Sequence, residues 1–382
     1  MDSTSQTQLL EKAGIKRALA KLCAGFKAGR LTLYLGAGLS LASGLPSWNT
    51  LVATLYYSAV MADWMGPWTP YPNYLFALGE WLLKQSGESP EVIAGKVESY
   101  YGGQSNGHRS PDFEREFLRI LYSPWQQNGN FVQPSSSALR NGNELLNSVA
   151  TLCEATTAIR GLYAVVTTNY DSLLEIALEE GPASHRFSPV WKSSQLPEGE
   201  GRAGSEKKGI FHVHGYLPPP AQARPGSAFD EIMLTEAHYH TAANDLYSWS
   251  NLCLVRSFSS SIGLVVGMSM TDRNLRRLLY ALQHTKLLDD VFVILKEPEA
   301  PMITSCDAEI IHANAKRYAN RFSRSGISRA TEVDEKLATM LNALYLQEKN
   351  IIESSLMNLG LNIIWVSQYE EVPVILNAIN QS

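Results

Sequence analysis

The stretch Leu31-Thr-Leu-Tyr-Leu-Gly-Ala-Gly-Leu-Ser40 decides the fold, because a short apolar strand in it ends abruptly at two glycines. Gly36 and Gly38 allow backbone angles and close approaches that a side chain would forbid. The residues after Ser40 can open a helix, whose free N–H groups and positive dipole end favour an anion, most often a phosphate. The three-glycine dinucleotide fingerprint is not met, because Leu41 occupies the third glycine position. A tight turn without a ligand is the alternative interpretation.

Further apolar runs have the length and composition of buried strands, and helical patterns lie between them. This alternation is typical of a parallel sheet covered by helices on both faces. The sequence therefore predicts a Rossmann-like α/β fold. The predicted strands are 31–35, 162–171 with its polar tip, 210–215, 262–267, 291–295 and 361–366, and the predicted helices include 8–28, 173–178, 252–258, 275–282, 331–359 and 372–379.

The segment after the first strand is mostly helical in pattern and rich in aromatic residues. We predict an N-terminal helix at 1–29, a sheet domain at 30–55 and 156–382, and an inserted helical lobe at 56–155. Large aromatic residues are usually buried, so core packing is the first expectation for them and a stacking or partner surface is the alternative. The aromatic residues concerned are Trp64, Trp68, Trp81, Tyr100, Tyr101 and Trp125.

The bulk composition is that of an ordinary globular protein of 382 residues, of which 45% are apolar and 18% charged. A net charge of −5 argues against a surface built mainly for nucleic acid or anionic lipid, so we expect nucleic acid only as an indirect partner. The sequence shows no signal-peptide pattern and no apolar run of about 18 residues, which predicts a cytoplasmic protein without a membrane partner. Four scattered cysteines without a C-x-x-C pair exclude a four-cysteine zinc ribbon and suggest reduced thiols. They are Cys23, Cys153, Cys253 and Cys306.

Polar residues follow four of the predicted strands. They lie at Gly36–Ser40, Thr168–Asp171, His214–Gly215 and Gly267–Asp272. Ligands of such sheets bind outside the carboxyl ends of the strands. We therefore expect a glycine turn, an amide, a carboxylate, an imidazole and hydroxyls to converge on one cleft.

These four segments resemble the motifs of the sirtuin (SIR2) superfamily, in particular the SIR2-like domains of bacterial anti-phage defence proteins. The resemblance covers about residues 30–300, with the four motifs in the family's order. The matching residues are Gly36-Ala-Gly-Leu-Ser40 with Ser43-Gly-Leu-Pro-Ser-Trp48, then Thr168-Asn-Tyr-Asp171, Val213-His-Gly215, and Gly267-Met-Ser269 with Asp272, Leu275 and Arg276.

The resemblance implies an enzyme that uses NAD as its substrate and breaks the nicotinamide–ribose bond. It implies that Asn169 holds the ribose and orients the attacking water, and that His214 is the general base, a role its near-neutral pKa suits. Asp171 would either order the nicotinamide side of the pocket or support Asn169. The implied NAD-binding residues are Ala37, Gly38 and Ser40, which hold the pyrophosphate through backbone N–H groups and one hydroxyl, Ser269 at the adenosine ribose, and also Gly36, Pro46, Trp48, Thr168, Gly267 and Asp272.

Two departures separate this chain from the protein-deacetylating sirtuins. Those enzymes carry a four-cysteine zinc ribbon, which this sequence does not form. Their first motif continues Pro-Asp-Phe-Arg, where this chain has Pro46-Ser-Trp-Asn49. Both differences favour the NAD-hydrolysing defence branch over acyl-lysine chemistry.

Two other functions remain open from the sequence. Four histidines in two His-x-His pairs could bind zinc in a metal-dependent hydrolase, although no carboxylate-rich motif accompanies them. A non-catalytic sensor of NAD or ADP-ribose would keep the glycine turn but would need no base. Asp272 could also serve only as a helix cap. The four histidines are His212, His214, His238 and His240.

An unrestrained NAD hydrolase would deplete the cell of NAD, so we expect regulation by a homo-oligomer or by a partner. The segment after residue 300 offers little room for a large sensor domain, which favours another chain as the trigger. A HerA-type ring ATPase and a nucleotide-sensing protein of the KongMing kind are the candidate partners. The basic residues of 316–329 are expected to be a solvated face, with a contact for an acidic partner or nucleic acid as the alternative. They are Lys316, Arg317, Arg321, Arg324 and Arg329.

Overall fold

A computed structural model describes residues 2–65, 72–105, 108–127, 130–196, 207–220, 229–298, 343 and 347–381. Several predictions fall outside these residues and concern Cys306, the basic stretch 316–329 and the first part of the helix predicted at 331–359. Of that helix, residues 347–357 are described and are helical.

Seven parallel strands form the central sheet. In chain order they are β1 (Leu31–Leu35), β2 (Leu162–Thr167), β3 (Phe187–Val190), β4 (Lys208–His212), β5 (Ile262–Val266), β6 (Val291–Lys296) and β7 (Leu361–Val366). Their spatial order is β7-β6-β5-β1-β2-β4-β3. Strands β2, β3 and β4 lie on one side of β1, and strands β5, β6 and β7, which come later in the chain, lie on the other side. The direction of winding therefore reverses between β1 and β5, where doubly wound folds form their ligand crevice.

The helices cover both faces of this sheet, as the sequence predicts for a Rossmann-like α/β fold. Buried apolar side chains form one cluster on each face, and Tyr34 of β1 stacks on Phe258 at a ring-centroid distance of 4.2 Å. The helices are α1 (Ser3–Glu11), α2 (Ala13–Lys27), α3 (Gly38–Leu41), α4 (Trp48–Met65), α5 (Pro72–Ser86), α6 (Pro90–Tyr100), α7 (Pro111–Leu121), α8 (Ser136–Gly142), α9 (Glu144–Glu154), α10 (Leu173–Leu178), α11 (Glu236–Asn244), α12 (Trp249–Ser260), α13 (Arg273–His284) and α14 (Val372–Gln381).

Strand β3 is the strand of the central sheet that was not predicted from the sequence, and helix α11 was not predicted either. Strand β3 has only four residues and contains Pro189, which has no N–H to donate. Proline is tolerated in a strand at the edge of a sheet, and β3 is the edge strand beside β4. Its composition therefore resembles a loop.

Two predicted helices begin or end differently in the structure. The predicted helix 8–28 is divided into α1 and α2 at Lys12, whose ψ of 127° is not helical. The helix expected after Ser40 instead begins at Gly38 and makes a single turn, α3, before α4 starts at Trp48. The predicted strand 210–215 ends at His212, so His214 lies in the turn that follows it.

The helices between β1 and β2 make two kinds of contact. Helix α4 packs on α5, α6 and α7, whereas α9 packs on α10 and α14, which cover the sheet. Of the tryptophans in this region, Trp125 is buried and Trp81 is 56% exposed. Among the described residues, no helix is both long and apolar enough to cross a membrane.

Candidate active site

The glycines after β1 and β5 bring two turns into direct contact at the point where the winding reverses. A Cβ atom on Gly36 would lie 2.6 Å from the carbonyl oxygen of Gly267, and one on Gly38 would lie 2.6 Å from the Cα of Gly267. Gly267 itself has a φ of +67°, which disfavours any side chain. Glycine is thus required at 36 and 38 because two backbone segments meet there.

This contact changes the expected role of the Gly38 amide. The N–H of Gly38 donates to the carbonyl of Gly267 at 2.8 Å, and the N–H of Gly36 donates to the carbonyl of Val266 at 3.0 Å. The resemblance implies that the Gly38 N–H binds a pyrophosphate. In the structure that N–H is already satisfied, because the glycine turn serves the packing of β1 against β5.

Three polar side chains form what we call the floor cluster: Ser40, Asn169 and Asp171. The Ser40 hydroxyl donates to Asp171 Oδ2 at 2.8 Å and accepts from Asn169 Nδ2 at 3.1 Å. Asn169 Nδ2 also donates to the carbonyl of Gly36 at 3.1 Å. All three residues are buried, although they come from the ends of two different strands. The floor cluster is therefore connected internally by short hydrogen bonds.

Asp171 is held in place through both of its carboxylate oxygens. Oδ1 accepts from the N–H of Leu173 at 3.1 Å, while Oδ2 accepts from Ser40. Burial raises the pKa of Asp171 above its ordinary value, although these two hydrogen bonds oppose the rise. Asp171 is connected to Asn169 through the Ser40 hydroxyl, and the two roles named for Asp171 stay predictions.

Thr167 orients the turn that carries Asn169. Its hydroxyl donates to the carbonyl of Leu35 at 3.1 Å and accepts from the N–H of Asn169 at 3.0 Å. The sequence analysis named its neighbour Thr168, which is only partly buried and whose N–H donates to the same Leu35 carbonyl at 3.2 Å. Strand alternation around residues 165–169 was the signal that could have identified Thr167 as the inward-facing residue.

The second group of polar residues, which we call the rim cluster, comprises His214, Tyr239 and Asp272. His214 Nε2 lies 3.4 Å from Asp272 Oδ2, and the Tyr239 hydroxyl donates to the same oxygen at 3.2 Å. His214 follows β4 and Asp272 follows β5, with β1 and β2 between them. The rim cluster therefore reaches across the strand ends that carry the floor cluster.

Burial lowers the pKa of His214, and the neighbouring Asp272 carboxylate opposes that effect. The imidazole is consequently favoured in its neutral form, as a general base requires. Asp272 has a second task, because its Oδ1 accepts from the N–H of Leu275 at 2.6 Å and caps α13. It is thus a helix cap and a partner of His214 at once.

His212, the last residue of β4, contacts the backbone of the floor cluster. Its Nε2 is 2.8 Å from Glu175 Oε1, and its Nδ1 is 2.9 Å from the backbone carbonyl of Asn169. Burial alone would lower the pKa of His212, but the ion pair with Glu175 and the two hydrogen bonds raise it above the ordinary value.

A buried arginine connects the helices after β1 to the rim cluster. The Arg109 side chain is fully buried and contacts Glu98 at 2.6 Å, the carbonyl of Ile232 at 3.0 Å and His238 Nε2 at 2.8 Å. It also donates to the carbonyl of Phe229. Met233 follows Ile232 in the chain and donates its N–H to the carbonyl of His214 at 2.8 Å. Arg109 therefore holds the segment on which the turn of His214 rests.

The remaining predicted NAD-binding residues lie around these clusters. Trp48 is half-buried and makes an edge contact with Tyr170 at 5.9 Å between ring centroids, and Pro46 is partly buried beside it in sequence. Ala37 is the residue before α3. Ser269 is exposed, and its hydroxyl bonds the Thr271 hydroxyl at 2.8 Å. In the structure Ser269 makes no contact with the floor cluster or the rim cluster.

The four histidines of the metal hypothesis have different partners. His212 contacts Glu175, His214 contacts Asp272, His238 contacts Arg109, and His240 faces Glu236 at 3.7 Å on the surface. Throughout the described ranges, no group of three or more histidine, cysteine or acidic side chains is placed to hold a metal ion. Both nitrogens of His212 face hydrogen-bond acceptors, which leaves that ring without a lone pair for a metal.

Comparison with known protein families gives one match. Residues 163–320 match the family model described as SIR2-like domain. This match supports the SIR2 superfamily. It includes three of the four motif segments, while the glycine turn at Gly36–Ser40 lies before it. The SIR2 superfamily uses NAD. Doubly wound folds bind their ligands where the direction of winding reverses, which in this chain is between β1 and β5. No curated protein matches the chain.

Proposed function

We propose that this protein is an NAD hydrolase that cleaves the nicotinamide–ribose bond to give ADP-ribose and nicotinamide. The observation that carries the proposal is the placement of the floor cluster and the rim cluster at the carboxyl ends of neighbouring strands. Thr167 of β2 pairs with His212 of β4, so Asn169 and His214 each lie two residues beyond a paired position. The amide and the imidazole are thereby presented at the same edge of the sheet.

The proposed reaction is NAD⁺ + H₂O → ADP-ribose + nicotinamide + H⁺. The bond between ribose C1′ and the nicotinamide nitrogen breaks, and its electron pair leaves with nicotinamide. Water then adds to C1′, and His214 accepts the proton that is released. A neutral, buried imidazole beside Asp272 suits this role, because the carboxylate stabilises the imidazolium that forms.

The free acceptors of the two clusters suit a ribose. Ribose hydroxyls can donate to an amide oxygen or to a neutral imidazole, and Asn169 Oδ1 and His214 supply these acceptors, because both side-chain N–H groups of Asn169 bond Ser40 and Gly36. Asn169 Nδ2 already bonds Ser40 and Gly36, so the floor cluster presents its amide in a fixed orientation. Preorganised polar groups of this kind typically contribute about a hundredfold or more to a rate.

The test is nicotinamide release from NAD by the purified chain, alone and with whatever protein co-purifies from its own operon. Asn169→Ala and His214→Ala should each lower release by about a hundredfold or more. Matched controls are Asn350→Ala and His240→Ala, since both of these side chains are exposed and lie outside both clusters. NAD binding without release would overturn the hydrolase and favour the sensor alternative. Release that neither site variant lowers would also contradict the proposal.

We further propose that the activity serves anti-phage defence through NAD depletion and is switched on by assembly or by a partner. The resemblance to SIR2-like defence domains supports this role. A HerA-type ATPase and a nucleotide-sensing protein remain the candidate partners, with a homo-oligomer as the assembly. Mass photometry of the protein purified from its operon, with identification of what co-elutes, tests this. A monomer without a partner that hydrolyses NAD at full rate would contradict it.

A further inference from the structure

The buried pair of His212 and Glu175 has no role in the proposed reaction, yet it contacts the backbone of Asn169. His212 Nδ1 is 2.9 Å from the carbonyl of Asn169, and a ring nitrogen facing a carbonyl oxygen must carry the proton. Its Nε2 is 2.8 Å from Glu175 Oε1, again an acceptor. A ring that donates from both nitrogens is an imidazolium with two fixed hydrogen bonds, and the raised pKa of His212, which its contacts with Glu175 and Asn169 cause, agrees with this form.

This imidazolium completes the restraint of the Asn169 backbone. The N–H of Asn169 donates to Thr167 Oγ1 at 3.0 Å, and its carbonyl accepts from His212. Both peptide groups that flank the Asn169 Cα are thus fixed, one from β2 and one from β4. A side chain on a restrained backbone turns only about its own χ angles, so its amide is directed toward Ser40 and Gly36.

Burying these two charged side chains costs free energy, so a contribution to stability alone does not explain why the pair is there. The His212 side chain is 1% exposed and that of Glu175 is 13% exposed. Replacing a buried ion pair by well-packed apolar residues is often neutral or stabilising, so such a pair is weak support for a purely structural role. The other groups that face His212 are the Asp171 carboxylate and the Tyr216 ring, whose centroid is 4.6 Å away.

We propose that His212 and Glu175 are positioning residues that orient the Asn169 amide for NAD cleavage. The proposal rests on the hydrolase function proposed above. Neither side chain need touch the substrate, because both act through the backbone carbonyl of Asn169. Glu175 fixes the ring and keeps it charged, and the ring fixes the carbonyl of Asn169.

The experiment compares Glu175→Ala, Glu175→Gln and His212→Asn with the unchanged protein. A small displacement of a catalytic group can cost about a hundredfold in rate, so Glu175→Ala and His212→Asn should lower kcat by about 10- to 100-fold. KM for NAD should stay within about threefold, because the pair acts on the reacting centre rather than on substrate affinity. Glu175→Gln can still hydrogen-bond Nε2 and should retain more of kcat than Glu175→Ala. Glu180→Ala is the matched control, since Glu180 is exposed just beyond the end of α10.

Two further measurements separate the possible failures. Adding His212→Asn to Asn169→Ala should lower the residual rate and the NAD affinity no further, because His212 acts only through Asn169. The ¹⁵N shifts of the His212 ring should report two protonated nitrogens at neutral pH, whether or not the chain hydrolyses NAD. Folded Glu175 and His212 variants with unchanged kcat, or a singly protonated ring, would overturn this inference alone. Nicotinamide release that is unaffected by Asn169→Ala would instead overturn the hydrolase proposal.

Discussion

The floor cluster and the rim cluster differ in how completely the protein satisfies the hydrogen-bonding groups of their side chains. In the floor cluster, Ser40, Asn169 and Asp171 are joined by hydrogen bonds of 2.8 to 3.1 Å, and the carboxylate is bonded through both oxygens. In the rim cluster, the imidazole of His214 has one polar contact within the described parts of the chain, the 3.4 Å approach to Asp272. The Asn169 N–H groups and the Asp171 carboxylate are satisfied by the protein itself, whereas the His214 ring retains capacity to bond a ligand.

The two histidines of strand β4 and its turn show the same difference. His212 has an acceptor at each ring nitrogen and a raised pKa. His214 belongs to the rim cluster and has a lowered pKa. A histidine with two committed nitrogens holds structure in place. One with a weakly engaged nitrogen can exchange a proton.

The largest expected effect breaks the support of the rim cluster. Arg109→Met removes a buried guanidinium that contacts Glu98 and the carbonyl of Ile232, and breaking a buried ion pair typically costs about 3–5 kcal/mol. Urea denaturation measures the loss of unfolding free energy. Arg115→Met is the matched control, because Arg115 is 75% exposed and its pair with Asp112 should contribute at most about 1 kcal/mol. Equal losses for the two variants would contradict the buried role of Arg109.

The next effect tests the rigidity under the floor cluster. Gly36→Ala places a Cβ 2.6 Å from the carbonyl oxygen of Gly267, and overpacking of this kind costs about 1–3 kcal/mol. Gly14→Ala, inside α2 with nothing within 4 Å of its Cβ position, should instead stabilise the protein by up to about 1 kcal/mol. Thermal unfolding of both variants measures the difference. A Gly36→Ala protein of unchanged stability would show that the two turns separate easily.

The third prediction uses the opposite pKa shifts of the two histidines. A raised pKa makes His212 contribute stability that is present below about pH 6.5 and is lost as the pH rises through its folded pKa. A lowered pKa makes His214 contribute stability that is present above about pH 6.5 and is lost as the pH falls through its folded pKa.

Substitution by glutamine should therefore change the pH dependence of unfolding in opposite directions. Compared with the unchanged protein, His212→Gln should lose less stability as the pH rises above about 6.5, and His214→Gln should lose less as it falls below, each by at most about 1.4 kcal/mol per pH unit. Chemical denaturation at a series of pH values measures both slopes. His240→Gln, which changes an exposed ring, is the control. Slopes that change in the same direction would contradict the distinction drawn between the two rings.

The smallest effect concerns the outer member of the rim cluster. Tyr239→Phe removes one hydrogen bond of 3.2 Å to Asp272, which should cost about 0.5–1.5 kcal/mol of stability. Because His214 keeps its approach to Asp272, nicotinamide release should fall by less than about tenfold, well short of the loss caused by His214→Ala. A rate assay at saturating NAD decides this. A loss as large as that of His214→Ala would place Tyr239 among the reacting groups.

The fold was predictable because buried parallel strands leave apolar runs that need no tertiary information. Strand β3, which contains Pro189, was not predicted. An edge strand can contain proline, and β3 forms only where the neighbouring strand β4 pairs with it. Asn169 and His214 were recognisable from their position after strands. The interaction between Asp171 and Ser40 and the pairing of His214 with Asp272 were not, because both join residues that only the assembled sheet brings together.

The contact between His214 and Asp272 sets an order of events during synthesis. Ser40, Asn169 and Asp171 can meet once the second strand of the sheet has emerged from the ribosome, but Asp272 follows about a hundred residues later at the usual rate of about 5–20 residues per second. A nascent chain that already carries Ser40 and Asn169 still lacks the partner of its base for several seconds. Under the proposed function, such a chain should release little nicotinamide, because the carboxylate beside His214 has not yet been made.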